Sequence, residues 1–191
     1  TLVYAAAAVE MIHAASLLHD DVIDGGILRR NLPTFWVQRG ASAAILLGDL
    51  LLFKGIDLIC QVEQGRLTHD LVRLTGEVCE AESEQEIVFL DKPSTIDLCE
   101  SIARRKTGAL FAFAALAAGG RDAALTAALR EAGYRVGAAY QLADDVLDAT
   151  GKTESAGKTL GTDGKRHIPS AADIDGDGAR AALARMEQLR K

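Results

Sequence analysis

The feature that most constrains the fold is a helical spacing of apolar residues that recurs along almost the whole chain. In one stretch the apolar side chains stand at intervals of three and four residues, at Leu67, Leu71, Leu74 and Val78. This spacing places them on one face of an α-helix. No segment combines sustained alternation of apolar and polar residues with β-branched enrichment, so we predict no strands. The sequence therefore predicts an all-α protein.

Proline and glycine divide this pattern into separate helices. Only 3 prolines occur in 191 residues, and glycine pairs stand at 25–26 and 119–120. Ser94–Asp97 resembles a capping box, which would open a helix after Pro93. The predicted helices cover 1–24, 41–62, 66–90, 94–119, 121–150 and 179–191, and a glycine- and lysine-bearing loop is predicted over 151–168.

Length and charge restrict what such a helical chain can be. At 191 residues, 49% apolar and 25% charged, the composition is that of a soluble globular protein, and we predict a single domain over 1–191. The net charge of −6 disfavours a nucleic-acid partner. The longest uninterrupted apolar run, Ala109–Ala118, is shorter than the ~18–20 residues that a membrane span needs. We therefore expect no transmembrane span.

Cysteine usage gives an expectation about the compartment. The chain has 3 cysteines, which are widely spaced and form no C-x-x-C pair. Buried free thiols are the expected state, since neither a disulfide framework nor a zinc site fits this pattern. Together with the absence of a signal-peptide pattern at residue 1, this predicts a cytoplasmic location.

An aspartate pattern, D-D-x-x-D, occurs twice, each time inside an apolar helical run. The first copy comprises Asp20, Asp21 and Asp24, and the second comprises Asp144, Asp145 and Asp148. Residues four apart lie on one face of a helix, so the first and last aspartates of each copy point the same way.

Carboxylates grouped this closely in apolar surroundings need a compensating charge. Desolvation costs several kcal/mol per uncompensated charge, and the neighbouring acids repel one another. Magnesium typically binds one or two carboxylates and completes its shell with water and substrate phosphate. Two facing copies would thus hold several Mg²⁺ ions around a diphosphate. The alternative is that both copies are solvated acidic ends of helices.

A diphosphate site also requires cations, and basic residues occur at three places in the chain. They are Arg29 and Arg30 after the first copy, Arg104, Arg105 and Lys106 within a helix, and Lys158 and Lys165 after the second copy. Arginine offers bidentate phosphate recognition, and lysine offers a point charge. In a net-acidic chain this placement favours a local phosphate site, although any one of these residues could be an ordinary surface charge.

These motifs, in this order, resemble the trans-type polyprenyl diphosphate synthases, which elongate isoprenyl chains head to tail. The resemblance spans about Tyr4–Lys165. Its most specific parts are Glu10–Asp24, Arg29–Arg30, Gly48–Asp49, Lys106–Gly108 and Tyr140–Asp148. The family implies long antiparallel helices around a central cavity, the isoprenoid synthase fold, and usually a homodimer.

The resemblance also implies a role for each matching residue. The direct magnesium ligands would be Asp20, Asp24 and Asp144, supported by Asp21, Asp145 and Asp148, with three Mg²⁺ ions once substrate is bound. The allylic diphosphate would be bound by Arg29, Lys106, Thr107, Gln141 and Lys158, and isopentenyl diphosphate by His13 and Arg30. Lys165 matches a further phosphate-binding lysine, at a shorter loop spacing than the family's. The catalytic set would be Asp20, Asp21, Asp24, Lys106, Asp144 and Asp145.

Small residues before the first aspartate copy bear on product length. In the family, bulky aromatic side chains four and five residues before that copy stop the growing tail. Here Ser16 and Ala15 occupy those positions, and Ile12 lies one turn earlier. They predict an open floor to the cavity and a product longer than farnesyl diphosphate, as in heptaprenyl- to decaprenyl-type enzymes.

The chain also departs from the family pattern. The family's upstream Gly-Gly-Lys-Arg-type segment and its last helices are absent, and the loop after Asp163 is short. We therefore expect that the N-terminal segment, part of this loop and the C-terminal helices are missing. The isopentenyl site would then be incomplete.

Three other functions share some of these features. A class I terpene cyclase performs the same ionisation, but its second metal motif has an Asn/Ser/Glu pattern. A partner subunit of a heteromeric prenyl synthase would usually lack the aspartates. A calcium-binding module is suggested by Asp173–Gly178, but position twelve of that EF-hand loop would be Ala184 in place of the bidentate glutamate.

Overall fold

The computed structural model describes residues 1–62, 65–150, 168–174 and 178–190. Helices dominate these residues, so the predicted all-α class is confirmed. The α-helices are α1 (Leu2–Ile23), α2 (Phe35–Arg39), α3 (Ala41–Cys60), α4 (Arg66–Ser83), α5 (Ile96–Lys106), α6 (Gly108–Ala118), α7 (Ala123–Thr150) and α8 (Gly178–Leu189). Except for Ile168, the predicted loop over 151–168 lies outside the described residues.

The described residues form two compact units, residues 1–69 and the residues from 70 onward. In the first unit, α1 packs along α3 at very short range. A Cβ added to Gly55 of α3 would lie 3.0 Å from Ile12 Cγ1 and 3.1 Å from the carbonyl oxygen of Ala8. Small residues on both helices therefore bring α1 and α3 into close contact. The single domain predicted over 1–191 stays a prediction.

A short hairpin follows α1. Strand β1 (Leu28–Arg29) pairs antiparallel with β2 (Leu32–Pro33). The turn residues Arg30 and Asn31 have φ angles of 53° and 62°, the left-handed conformation of a type I′ turn. The prediction of no strands was wrong at this point, because strands of two residues are too short to show alternation.

In the second unit, the predicted helix over 94–119 is divided at Thr107 into α5 and α6. Helix α6 then packs on α7 through glycines: a Cβ added to Gly137 would lie 2.4 Å from the Cα of Gly108. Helix α5 begins one residue later than the predicted capping box. Thr95 is its N-cap, and the Oγ1 of Thr95 accepts a hydrogen bond from Leu98 N at 3.2 Å.

The predicted helix over 66–90 also ends differently. Helix α4 stops at Ser83 and continues as a π-helical turn over Glu84–Val88. Such turns insert an extra residue into the helical repeat and are frequent at functional sites. Helix α8 is tied to α5 by Arg185, whose guanidinium pairs with Asp97 at 2.8 Å and also with Glu100.

None of the three cysteines is joined in a disulfide, as expected, but they are not all buried. Cys99 is buried in the core formed with Leu142 and Ala182, and burial raises the pKa of its thiol to about 12. Cys60 is half-buried and Cys79 is exposed. Cysteine usage in the sequence thus indicated the oxidation state better than the burial.

Among the described residues, α1 is the one helix long and apolar enough to cross a membrane by length and composition. The length of uninterrupted apolar runs did not identify α1 in the sequence, because polar residues interrupt its apolar stretches. The core helix of a globular unit passes the same test, and α1 buries Ala8 and Ile12 where it packs on α3.

Candidate active site

The three aspartates of the first copy differ in their surroundings. Asp21 is only 7% exposed, whereas Asp20 and Asp24 are half-buried. Successive helical residues are rotated by about 100°, so Asp21 faces a different side of α1 from the other two. That side faces the turn after α1, since a Cβ added to Gly26 would lie 3.4 Å from Asp21 Oδ1.

Asp21 is paired with Arg29. The Nε and Nη2 atoms of Arg29 lie 3.0 Å and 2.9 Å from Asp21 Oδ1. Charge-assisted hydrogen bonds of this kind are stronger than neutral ones and fix the arginine in orientation. The carboxylate that is most deeply buried is therefore engaged by a guanidinium, and the half-buried pair beside it shares one face of α1.

The hairpin that carries Arg29 is anchored by two side chains that sequence reasoning missed. Thr34 Oγ1 and Trp36 Nε1 each donate to the Gly26 carbonyl oxygen at 2.7 Å. These bonds close the segment that begins after α1, so they hold β1 and Arg29 against Asp21. The signal in the sequence was faint, since only the T-x-W spacing after Pro33 marks them.

His13 and Arg30, the predicted isopentenyl diphosphate residues, share the neighbourhood of Arg29. Desolvation lowers the pKa of His13, and the positive charges of Arg29 and Arg30 lower it further, while Glu10 opposes this. Arg30 is exposed and adopts a left-handed backbone, which is costly for a residue other than glycine. The first unit thus brings the His13 imidazole within electrostatic range of two guanidiniums, one of which, that of Arg29, contacts Asp21.

The second copy repeats the pattern of the first. Asp145 is 8% exposed, and Asp144 and Asp148 are half-buried. Asp145 Oδ1 accepts from Gln141 Nε2 at 2.9 Å, and Oδ2 accepts from the amide of Ala171 at 3.1 Å. Burial raises the pKa of Asp145, and these two hydrogen bonds oppose the rise. In both copies the middle aspartate is buried and held, and the outer two are more accessible.

Several residues predicted to bind the allylic diphosphate meet beside Asp145. Thr107 Oγ1 donates to Gln141 Oε1 at 2.6 Å, and Gln141 in turn donates to Asp145. Lys106 Nζ lies 2.5 Å from Glu82 Oε2 and donates to Gln85 Oε1 at 3.0 Å. Its positive charge also lowers the pKa of Asp145. Lys158 and Lys165 lie outside the described residues.

A family model described as polyprenyl synthetase matches residues 1–176 of this chain. The chain belongs to the polyprenyl synthetase family. Octaprenyl diphosphate synthase of Haemophilus influenzae is 35% identical over 185 residues, which covers 93% of this chain and 56% of the relative. The crystal structure of a polyprenyl synthase from Caulobacter crescentus, complexed with calcium and isoprenyl diphosphate, matches with a TM-score of 0.83 and 30% identity. That match covers 97% of this chain and 66% of the solved chain.

These comparisons confirm the resemblance and show that the chain has the isoprenoid synthase fold. The chain spans about half the length of the curated relatives that it matches. Relatives of equal identity carry names for different products. A short chain isoprenyl diphosphate synthase of Methanocaldococcus jannaschii is 35% identical over 86% of this chain, covering 53% of the relative. Membership of the family therefore does not assign a product length.

The donor groups of this chain fit magnesium bound jointly with phosphate. Within the described ranges, no group of three or more His, Cys, Asp and Glu side chains is arranged to hold a metal by itself. Each aspartate copy instead presents two half-buried carboxylates one helical turn apart. Magnesium prefers such hard oxygen donors and takes few of them from protein, leaving the remaining positions to water and phosphate.

The residues predicted to set product length lie on α1. Ala15 and Ile12 are buried, and Ile12 lies against Gly55 of α3. Ser16 is half-buried, and its hydroxyl donates to the His13 carbonyl oxygen at 2.9 Å. A larger side chain at Ala15 would therefore disturb packing as well as limit the tail. The half-buried position of Ser16 can accept a larger side chain more easily.

Proposed function

We propose that this polyprenyl synthetase is a Mg²⁺-dependent prenyltransferase that adds isopentenyl diphosphate head to tail to an allylic diphosphate. The observation that carries this proposal is the arrangement shared by both aspartate copies. In each, a buried middle carboxylate is held by hydrogen bonds and two accessible carboxylates share a helical face. We also propose that the protein is cytoplasmic.

In the proposed site, Asp20, Asp24 and Asp144 bind magnesium directly, with three ions present once substrate is bound. When bound, Mg²⁺ neutralises the negative charge that develops on the diphosphate leaving group. Asp21 and Asp145 act through their partners, because Asp21 fixes Arg29 and Asp145 fixes Gln141. Asp148 supports the second copy.

The remaining polar residues bind the two substrates. The allylic diphosphate contacts Arg29, Lys106, Thr107, Gln141 and Lys158, and isopentenyl diphosphate contacts His13 and Arg30. The guanidinium of Arg29 offers two N–H groups to one phosphate, and the Lys106 ammonium supplies a point charge. These residues bind and orient the diphosphates so that the reacting carbon atoms meet.

The reaction follows from the ionisation of the allylic substrate. Its C–O bond breaks, the diphosphate leaves with the electron pair, and an allylic carbocation remains. The double bond of isopentenyl diphosphate attacks this cation and forms the new C–C bond. Loss of a proton, which the departing diphosphate accepts, then regenerates a double bond in a product five carbons longer.

The experiment that tests this function combines the purified protein with Mg²⁺, isopentenyl diphosphate and allylic primers of increasing length. Incorporation of isopentenyl units, abolished by a chelator, is the expected result. Cyclic hydrocarbon formed from the primer alone would instead identify a terpene cyclase. Binding of Mg²⁺ and diphosphate without turnover would identify a partner subunit.

Product length is tested by filling the space before the first aspartate copy. We expect Ser16→Tyr and Ala15→Tyr to shorten the product, because a phenol ring there would block the growing tail one turn before Asp20. Chromatography of the dephosphorylated products measures the change. Ala15 is 2% exposed, so Ser16→Tyr is the variant expected to keep the fold. An unchanged product distribution in a folded Ser16→Tyr variant would contradict the proposed floor.

We also propose that the protein is a homodimer, and the outer face of α3 supports this. Leu46, Leu50 and Phe53, spaced four and three residues apart, are 68%, 54% and 69% exposed. Contiguous exposed apolar side chains of this kind commonly mark protein–protein interaction sites. Light scattering should therefore give the mass of two chains. The mass of one chain would instead favour a heteromeric assembly. The name of a 35% identical relative, heptaprenyl diphosphate synthase component 2 of Geobacillus stearothermophilus, points to such an assembly in that relative.

A further inference from the structure

Lys106 is held by two side chains of different character at the end of α5. Its ammonium donates to the amide oxygen of Gln85 at 3.0 Å and lies 2.5 Å from the carboxylate of Glu82. Gln85 is neutral and Glu82 is charged, so the two contacts differ in what they do to the field around Lys106. The amide orients the ammonium without neutralising it, whereas the carboxylate cancels much of its charge.

Gln85 is itself fixed at both ends of its amide group. It is 7% exposed, and its Nε2 donates to the Pro169 carbonyl oxygen at 3.1 Å. It lies in the π-helical turn over Glu84–Val88, which follows α4 directly. An amide held by a donor bond and an acceptor bond cannot turn freely, so its oxygen is a fixed acceptor for the Lys106 ammonium.

Glu82, in contrast, has a hydrogen-bonding partner in the described part of the chain at only one of its two carboxylate oxygens. Its Oε2 contacts Lys106, while its Oε1 is buried and has no hydrogen-bond partner among the described residues. A buried carboxylate oxygen without a partner carries an uncompensated desolvation cost. Glu82 therefore depends on Lys106 for its stabilisation, and any anion that draws Lys106 away must overcome that attraction.

We propose that Gln85 and Glu82 are positioning residues with opposite effects on diphosphate binding at Lys106. Gln85 orients the ammonium toward the allylic diphosphate, and Glu82 competes with the diphosphate for the same ammonium. This inference rests on the proposed function, which assigns Lys106 to the allylic diphosphate. The competition also assists release of the diphosphate product, because Glu82 recaptures the lysine as the anion leaves.

Calorimetric titration of inorganic diphosphate in the presence of Mg²⁺ tests this proposal. Gln85→Met removes the oxygen acceptor at nearly constant volume, and we expect the Kd to rise about tenfold, the loss of one hydrogen bond to a charged group. Glu82→Gln removes the competing charge, and we expect the Kd to fall about threefold or more. The KM for the allylic substrate should follow the Kd in both variants.

Glu84→Gln is the matched control. Glu84 lies in the same segment and makes an equivalent ion pair, at 2.6 Å, with Arg105, the neighbour of Lys106. Its replacement should leave the Kd within about twofold of the original value, because a half-exposed pair of this kind contributes little and does not involve Lys106. General loosening of the π-helical turn would weaken diphosphate binding in every variant, so opposite signs distinguish positioning from structural damage.

Each outcome decides between the two proposals. If the unsubstituted protein does not bind inorganic diphosphate with Mg²⁺, the proposed function is wrong, and this inference with it. If the unsubstituted protein binds diphosphate and the Glu82→Gln variant binds it equally well or more weakly, only the inference is wrong. Circular dichroism checks the fold of each variant, and if Gln85→Met does not fold, the sign of the Glu82→Gln effect still decides.

Discussion

Replacing Asp20 by asparagine is expected to lower the rate of isopentenyl incorporation by about 10³-fold, or about 4 kcal/mol of transition-state stabilisation. Asparagine keeps the size of the side chain and removes its negative charge, so a proposed magnesium ligand is weakened while packing is preserved. Asp20 is half-buried and lies one helical turn from Asp24. Asp144→Asn should have an effect of the same order, because Asp144 occupies the equivalent place in the second copy.

The measurement is the initial rate at saturating substrates over a range of Mg²⁺ concentrations, with circular dichroism to confirm the fold. Asp57→Asn is the matched control, since Asp57 is an exposed aspartate on α3 whose carboxylate accepts from Gln61 Nε2 at 3.0 Å. Its rate should be unchanged. A folded Asp20→Asn variant that keeps a tenth or more of the activity would contradict direct metal binding by Asp20.

The sequence predicted the accessible aspartates of each copy through a local rule. Residues four apart share a helical face, and this rule needs only the helix, which periodicity had already indicated. It identified Asp20 and Asp24 as a pair, and likewise Asp144 and Asp148. The structure agrees with this pattern, since each pair is half-buried while the aspartate between them is buried.

The partners of the buried aspartates could not be predicted in the same way. Arg29 contacts Asp21 from a hairpin whose turn residues, Arg30 and Asn31, adopt the left-handed conformation. Asparagine tolerates that conformation, so Asn31 was a usable signal for a turn. Arginine is unusual at the other left-handed position, so the pair Arg30–Asn31 did not indicate a type I′ turn. The amide of Ala171 reaches Asp145 across 26 positions of sequence, which no local pattern encodes.

The helix boundaries show the same division between local and distant causes. Periodicity located α4, but the π-helical turn at its end coincides with contacts from Gln85 to Lys106 and Pro169. Pro169 stands 84 positions away in sequence from Gln85. Packing against distant segments thus decides details that the residues of the helix do not determine alone.

Gly137→Ala is expected to lower the free energy of unfolding by about 3 kcal/mol or more. A Cβ at this position would lie 2.4 Å from the Cα of Gly108 and 2.9 Å from its nitrogen, so the clash is with backbone that cannot move aside cheaply. The alanine would favour the helix itself, by about 1 kcal/mol, but separation of α6 from α7 outweighs this gain.

Gly76→Ala provides the matched control for this substitution. Gly76 lies within α4, and a Cβ added there would have nothing within 4 Å. We therefore expect this variant to gain about 0.5–1 kcal/mol from helix propensity and lower backbone entropy in the unfolded state. Urea denaturation of both variants, followed by circular dichroism, measures the difference, and equal stabilities would contradict the close packing of α6 on α7.

The same contact explains why glycine follows Lys106 and Thr107 in this chain. Gly108 is the first residue of α6, and a Cβ there would lie 2.8 Å from the Tyr134 carbonyl oxygen of α7. The absence of side chains at Gly108 and Gly137 lets α7 approach closely enough for Thr107 Oγ1 to reach Gln141 at 2.6 Å. Gly137→Ala should thus also raise the KM for the allylic diphosphate under conditions where the variant remains folded. A variant that is destabilised but keeps its KM would separate the packing role of Gly137 from any role in binding.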